Sequence, residues 1–257
     1  MKFDYKEQFN IAGKCCIVTG GAQGLSRGMA EVLLENGAKV VLIDLQKDKL
    51  AEVVKEYRDM GYEAYGVVGN LANRDEIDRC FNEAMECLGG RLDVLIPAAG
   101  IQRRHLPEEF PLSEWDLVIN INLNHVFILC QKALKVMLKQ KSGKIITISS
   151  MSSWFGGTTV PAYTAAKGAV AQLTKSLAVD CAGRGINVNS LAPGYMDTEM
   201  TSNMTQARKD ETTARIPQGR WGTPDDMKGP VLFLASSASD YINGAVIPVD
   251  GAFLCKC

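Results

Sequence analysis

Short apolar runs rich in β-branched residues alternate along the chain with longer segments whose apolar positions recur at helical spacing. The runs predict strands at Cys15–Thr19, Lys39–Ile43, Glu63–Val68, Asp93–Ile96, Lys144–Ile148, Asn187–Leu191 and Ala245–Val249. The periodic segments predict helices at Leu25–Glu35, Lys49–Met60, Arg74–Cys87, Ser113–Lys139, Ala162–Cys181 and Pro224–Leu234. Strands this apolar imply cover on both faces, as in a parallel sheet. Regular alternation of strand and helix predicts an α/β chain: a single doubly wound domain over 1–257, with a mostly parallel seven-stranded sheet and helices on both faces. One stretch, 194–221, is polar and lacks a clear period while carrying Met196, Met200, Met204 and Trp221; it is expected to be a structure-poor substrate lid.

Composition narrows the classes. Apolar residues make up 46% and charged residues 22%, a globular balance, and a chain of 257 residues can bury a core without covalent staples. The formal net charge of -1 gives no electrostatic reason to expect nucleic acid or an anionic membrane as a partner. Met1–Asn10 lacks an apolar h-region, so no signal peptide is expected. No run approaches the roughly 18 apolar residues of a membrane span, so none is expected. Eight cysteines are scattered without a CxxC pair, which predicts free thiols in a reducing, cytoplasmic compartment; Cys255 and Cys257 stand where oxidation is easiest. The two histidines, His105 and His125, have no acidic or cysteine neighbours at ligand spacing, so neither a metal site nor a Ser-His-Asp triad is expected.

The first predicted strand runs into Thr19-Gly20-Gly21-Ala22-Gln23-Gly24-Leu25-Ser26 and then a helix. Such a turn lets backbone N–H groups approach a pyrophosphate at the positive end of the helix, as in Rossmann-type dinucleotide sites. Asp44 ends the second strand 20 residues after Gly24, where a carboxylate can accept from an adenosine ribose and repel a 2′-phosphate. That favours NAD over NADP. Further on, Tyr163 and Lys167 stand at i, i+4 on one helix face, where the ammonium is expected to lower the phenol pKa. Ser150, thirteen residues before Tyr163, follows the fifth strand at the sheet edge where ligands bind.

With these motifs in order, and with Asn122 in Ile121-Asn122-Leu123 and Pro193-Gly194 after the sixth strand, the chain resembles the short-chain dehydrogenase/reductase family over almost its whole length. The resemblance implies a catalytic tetrad of Asn122, Ser150, Tyr163 and Lys167, with Asn122 holding a water that joins Lys167 to solvent. It implies cofactor contacts from Gly20, Gln23, Gly24, Leu25, Asp44, Asn70, Leu71, Ala99, Gly100, Tyr163, Lys167, Pro193, Gly194, Met196 and Thr198, and a homotetramer joined by paired long helices. Three positions depart from the family pattern: Ser26 replaces the last glycine of the turn, Pro97-Ala98 replaces two asparagines that tie the central sheet, and Asn70 replaces an aspartate, keeping a carbonyl for the adenine amine.

Segments such as Ala99–His105, Arg215–Gly222 and Ser239–Gly244 are similar to members of that family acting on sugar acids such as gluconate or a deoxy-keto-gluconate. Arg104, or its neighbour Arg103, is the candidate for gripping the substrate carboxylate, with Ser150 and Tyr163 on the reacting oxygen. Two alternatives stand beside this reading. One is a dehydrogenase for an apolar alcohol such as a steroid, which the lid methionines would suit. The other is a non-catalytic NAD-binding protein.

Overall fold

The computed structural model describes residues 4–202 and 204–256. Cys257, one of the two terminal thiols, and Asn203 of the expected lid lie outside the described residues. Seven strands, β1 (Cys15–Thr19), β2 (Lys39–Asp44), β3 (Ala64–Val68), β4 (Val94–Ile96), β5 (Gly143–Ile148), β6 (Ile186–Pro193) and β7 (Val246–Val249), form one sheet in the order β3-β2-β1-β4-β5-β6-β7. Every pairing is parallel, so the sheet is wholly parallel where a mostly parallel one was expected.

The helices are α1 (Tyr5–Gln8), α2 (Gly24–Glu35), α3 (Lys47–Asp59), α4 (Arg74–Cys87), α5 (Leu112–Ile119), α6 (His125–Gln140), α7 (Pro161–Cys181), α8 (Gln206–Arg215) and α9 (Pro224–Ala235). Successive strand residues point to opposite faces. Cys16 and Val18 of β1 therefore join Met29, Leu33, Leu50, Tyr57, Met227 and Val231 of α2, α3 and α9 on one face. Cys15 and Ile17 join Ile77, Phe81, Leu129 and Val170 of α4, α6 and α7 on the other. Strand order reverses between β1 and β4, which opens a crevice at the carboxyl edge of the sheet.

Three expectations are corrected. The continuous helix expected over Ser113–Lys139 is interrupted by a wide π-turn at Asn120–Asn124, where the His125 N–H reaches back five residues to the Asn120 carbonyl. The polar stretch after Gly194 is not structure-poor. It holds α8, which buries only Thr212 and so shows no apolar stripe, and it is pinned by Trp221 Nε1 donating to Thr213 Oγ1 at 2.9 Å. Leu112–Gln140 is, by length and hydropathy alone, long and apolar enough to cross a membrane, contrary to the expectation of no such segment. Its uncharged asparagines and glutamines hide that apolar character from the eye, and its buried side chains, among them Val118, Val126 and Leu129, pack in the chain's own core.

Buried hydroxyls tie α7 to β5 and β6 to the end of β5. Thr147 Oγ1 and Thr174 Oγ1 share a hydrogen bond of 2.7 Å, and Ser190 Oγ donates to Ser149 Oγ at 2.9 Å. The link from α7 to β6 turns at Gly185, whose φ of +83° an L side chain rarely adopts and whose Cβ position is closed by the Lys141 carbonyl. We predict that Gly185→Ala costs about 3 kcal/mol, from left-handed strain plus a backbone clash. Thermal unfolding followed by circular dichroism is expected to show a midpoint lower by about 6–12 °C; an unchanged midpoint would contradict the strain.

Candidate active site

The crevice at the strand reversal is a cavity of about 510 Å³, within the range of small-molecule sites. One end is formed by the turn between β1 and α2. Gly20 has a φ of +72°, and a Cβ there would stand 3.0 Å from the Ala99 Cα, so the backbone approaches the next strand end only because this residue has no side chain. Helix α2 then begins at Gly24 with no side-chain cap and no acidic residue in its first turn. Gln23, Gly24, Leu25 and Ser26 at this uncapped start line the cavity, an arrangement that favours an anion.

Asp44 ends β2 on the cavity wall and is buried. Its Oδ2 accepts from the Ala22 N–H at 3.0 Å and its Oδ1 from the Gln46 N–H at 2.9 Å. The carboxylate thus braces the glycine turn as well as lining the site. Asn70 and Leu71 line the same end, but the Asn70 carbonyl already accepts from the Ala72 N–H at 3.0 Å, so the oxygen expected to meet an adenine amine is partly spent locally. In place of the missing asparagines after β4, Thr19 Oγ1 accepts from the Ala99 N–H at 2.9 Å and ties β1 to that segment. Ala99, Gly100, Pro193, Gly194, Met196 and Thr198 complete the wall. This cradle, glycine-lined at an uncapped helix start and closed by a buried carboxylate, fits a nicotinamide dinucleotide.

The other end carries the groups expected to react. Ser150 caps a short turn at Met151–Ser153, its Oγ accepting from the Ser152 N–H at 3.1 Å, which leaves its own proton for another acceptor. Tyr163 and Lys167 are one turn apart on α7 and both line the cavity. Lys167 is 4% exposed; its Nζ donates to the Ile148 carbonyl at 2.7 Å and lies 5.6 Å from the centre of the Tyr163 ring. Ser153 Oγ donates to the Lys167 carbonyl at 2.8 Å and ties the two elements together. Asn122 projects from the π-turn, its Nδ2 donating to the Ile101 and Val118 carbonyls at 2.9 and 3.0 Å, while its buried Oδ1 has no partner among the described residues.

The electrostatics correct the expectation for the phenol. Desolvation pushes the Tyr163 pKa up, and only the Ser150 hydrogen bond pulls it back. The Lys167 ammonium is committed to a main-chain carbonyl rather than to the phenol oxygen. Desolvation of that ammonium lowers its own pKa from 10.5 to about 8.

The two arginines separate. Arg104 lines the cavity, with one weak tie at 3.5 Å to the Thr158 carbonyl. Arg103 is not on the cavity wall; it lies 3.8 Å from Glu114, which also bonds His105 Nε2 at 2.8 Å. Alternation about an extended loop puts adjacent side chains on opposite sides, which the sequence could not assign. Sequence reasoning also missed Gln102, Ser152 and Tyr195 on the wall. Gln102 and Tyr195 adjoin recognised motif residues and Ser152 lies two positions after Ser150, the only signal that could have found them.

The short chain dehydrogenase family model matches residues 14–209. A 2-dehydro-3-deoxy-D-gluconate 5-dehydrogenase of Escherichia coli strain K12 is 40% identical over 251 residues, spanning 96% of this chain and 98% of that one. A 5-keto-D-gluconate 5-reductase of the same strain is 40% identical, spanning 96% and 97%. The crystal structure of a gluconate 5-dehydrogenase from Burkholderia cenocepacia J2315 in complex with NADP and tartrate is similar with a TM-score of 0.92 at 36% identity, over 98% of this chain and 99% of that one.

The depressed Lys167 pKa has a consequence for stability. The unfolded chain holds this proton to higher pH than the folded chain, so stability rises with pH between about 8 and 10.5. In Lys167→Met that contribution is absent, and pH-independent effects of the substitution cancel when two pH values are compared. Urea unfolding is expected to show the wild type gaining about 2 kcal/mol on the variant between about pH 7.5 and about pH 9.5. A constant difference between the two proteins would mean that Lys167 keeps an ordinary pKa.

Proposed function

The chain belongs to the short-chain dehydrogenase/reductase family, and we propose that it is an NAD-dependent dehydrogenase that interconverts a sugar-acid alcohol, of the gluconate or deoxy-keto-gluconate type, with its ketone. The observation that carries this reading is one cavity with two chemically distinct ends. A phenol, a hydroxyl, a buried ammonium and Arg104 meet at one end, and the uncapped start of α2 lies at the other.

A bound nicotinamide dinucleotide supplies hydride acceptor and donor chemistry. The protein's part is to bind, orient and move a proton. The Ser150 hydroxyl donates a hydrogen bond to the substrate oxygen without giving up its proton. Tyr163, held neutral at ordinary pH by burial, donates a proton to that oxygen in ketone reduction and takes it back in alcohol oxidation. Before substrate binds, the Ser150 hydrogen bond is what favours the phenolate, while Lys167 stays bonded to the Ile148 carbonyl. Asn122 Oδ1 holds a water behind Lys167. Arg104 grips the carboxylate, a match of fork geometry and charge.

Choice of NAD rests on Asp44, whose buried carboxylate would lie against a 2′-phosphate. The Burkholderia cenocepacia relative carries NADP, so the two cofactors are compared directly in the test below. We place the enzyme in the cytoplasm as a homotetramer. The apolar Phe127 and Val179 stand exposed on α6 and α7 and would be covered by another copy, which light scattering checks. A second reading has its own observation: Met151, Met196, Met200 and Met204 all line the cavity, a polarizable wall that suits an apolar alcohol such as a steroid.

Turnover of a panel of gluconate, deoxy-keto-gluconate, an uncharged polyol and a steroid alcohol separates these readings. The sugar acids are expected to react fastest, with NAD(H) giving the higher kcat/KM; a steroid preference or an NADPH preference would overturn the corresponding part. Tyr163→Phe is expected to bind NADH as the wild type does and to lose about 10²-fold or more in kcat. Half of normal turnover in that variant would remove Tyr163 from the chemistry. Arg104→Ala is expected to lose about 10–150-fold in kcat/KM on sugar acids alone, the worth of hydrogen bonds to a charged group. Equal losses on the neutral polyol would assign Arg104 a structural role instead.

A further inference from the structure

One buried side chain near the reacting end is left unexplained by the mechanism above. His125 is fully buried at the start of α6, and both of its ring nitrogens lack a hydrogen-bond partner among the described residues. The Ile121 carbonyl, one turn back, is near enough to favour a proton on the ring but makes no hydrogen bond with either nitrogen. A buried polar group in this state is costly unless something satisfies it.

Its surroundings say what that is. Asn122, three residues earlier in the π-turn that leads into His125, carries a second orphan, its buried Oδ1. Helix α7 packs across the Asn120–Asn124 turn and brings Lys167, the one charged group among the described residues that bears on the imidazole. Lys167 uses one of its three N–H donors on the Ile148 carbonyl. The cluster therefore offers two acceptors, Asn122 Oδ1 and a lone pair of neutral His125, and a surplus donor on Lys167. One water matches this set completely. Its two hydrogens go to the two acceptors and its oxygen accepts from the ammonium, three hydrogen bonds in all, the usual number for a buried water.

We infer that His125 is a positioning residue of the proton relay: together with Asn122 Oδ1 it holds and orients the water through which Lys167 exchanges protons. Burial together with the Lys167 charge keeps the imidazole neutral, with a pKa of about 3, so it can present the lone pair that the water needs. The ring does not touch substrate or cofactor; it acts through the water on Lys167, and through Lys167 on Tyr163. The inference rests on the dehydrogenase reading for its effect on rate, and on the buried polar cluster alone for the water.

Two measurements test it. A crystal structure of the wild-type protein is expected to show an ordered water bonded to both Asn122 Oδ1 and a His125 nitrogen; its absence would overturn the inference whatever the reaction. For rate, His125→Phe removes both nitrogens and keeps a ring. It is expected to lose about 10-fold in kcat, about one hydrogen bond's worth, with both KM values unchanged and with a shift in the pH at which kcat breaks. His125→Gln, which restores an acceptor, is expected to recover most of the loss, and it serves alone against the wild type if the phenylalanine variant does not fold. Wild-type kcat and pH profile in a folded His125→Phe would overturn the role, as would a loss that His125→Gln does not repair. A wild type with no turnover on any alcohol would overturn the dehydrogenase reading instead, and the water would still decide the place of His125.

Discussion

Lys167 keeps an ammonium where solvent hardly reaches, and the reacting end of this protein is organised around that constraint. A charge so placed must be paid for by hydrogen bonds in fixed directions. The carbonyl that ends β5 supplies one at Ile148, and Ser153 holds the Lys167 main chain against the turn that carries Ser150. Because the same helix carries Tyr163 one turn earlier, fixing the ammonium also fixes the phenol. The hydroxyl pairs between β5, β6 and α7 add further ties, so that the phenol, the serine and the lysine keep their spacing through the core rather than through a loop.

The cofactor end obeys a different constraint, that of close backbone approach. Gly20 can lie against Ala99 only without a side chain, and Asp44 locks the turn by accepting from Ala22. Binding and chemistry are thus positioned by separate devices that meet at the strand reversal between β1 and β4. Substitutions such as Ser26 in the glycine turn and Pro97-Ala98 after β4 fall on the first device, where Thr19 supplies a substitute tie, and leave the second untouched.

The parallel sheet and most helix limits were legible because apolar strands and amphipathic helices write their period directly: Arg74–Cys87 is the same span in sequence and structure. The motif residues of the cavity were legible from their spacing along an alternating β-α chain. What was hidden is three-dimensional. The π-turn at Asn120–Asn124 adds a residue to a helix whose apolar pattern runs on unbroken. Helix α8 rests on the surface and buries too little to show a stripe. The division of labour between Arg103 and Arg104 depends on which way adjacent side chains turn, and the rise in the Tyr163 pKa depends on burial, which a helical spacing of tyrosine and lysine cannot report. His125 was visible only as one of two histidines; its unpartnered nitrogens belong to the packing.

The most direct test of this account is the ionisation of Lys167 in the intact protein. Lysine side chains labelled at the ε carbon can be titrated by NMR, with Lys167→Met identifying the signal. The account predicts that this one signal moves with an apparent pKa near 8 in the cofactor-free protein. A Lys167 signal that moves only near the ordinary lysine value of about 10.4 would contradict it, because the ammonium would then be solvated and could not organise the site.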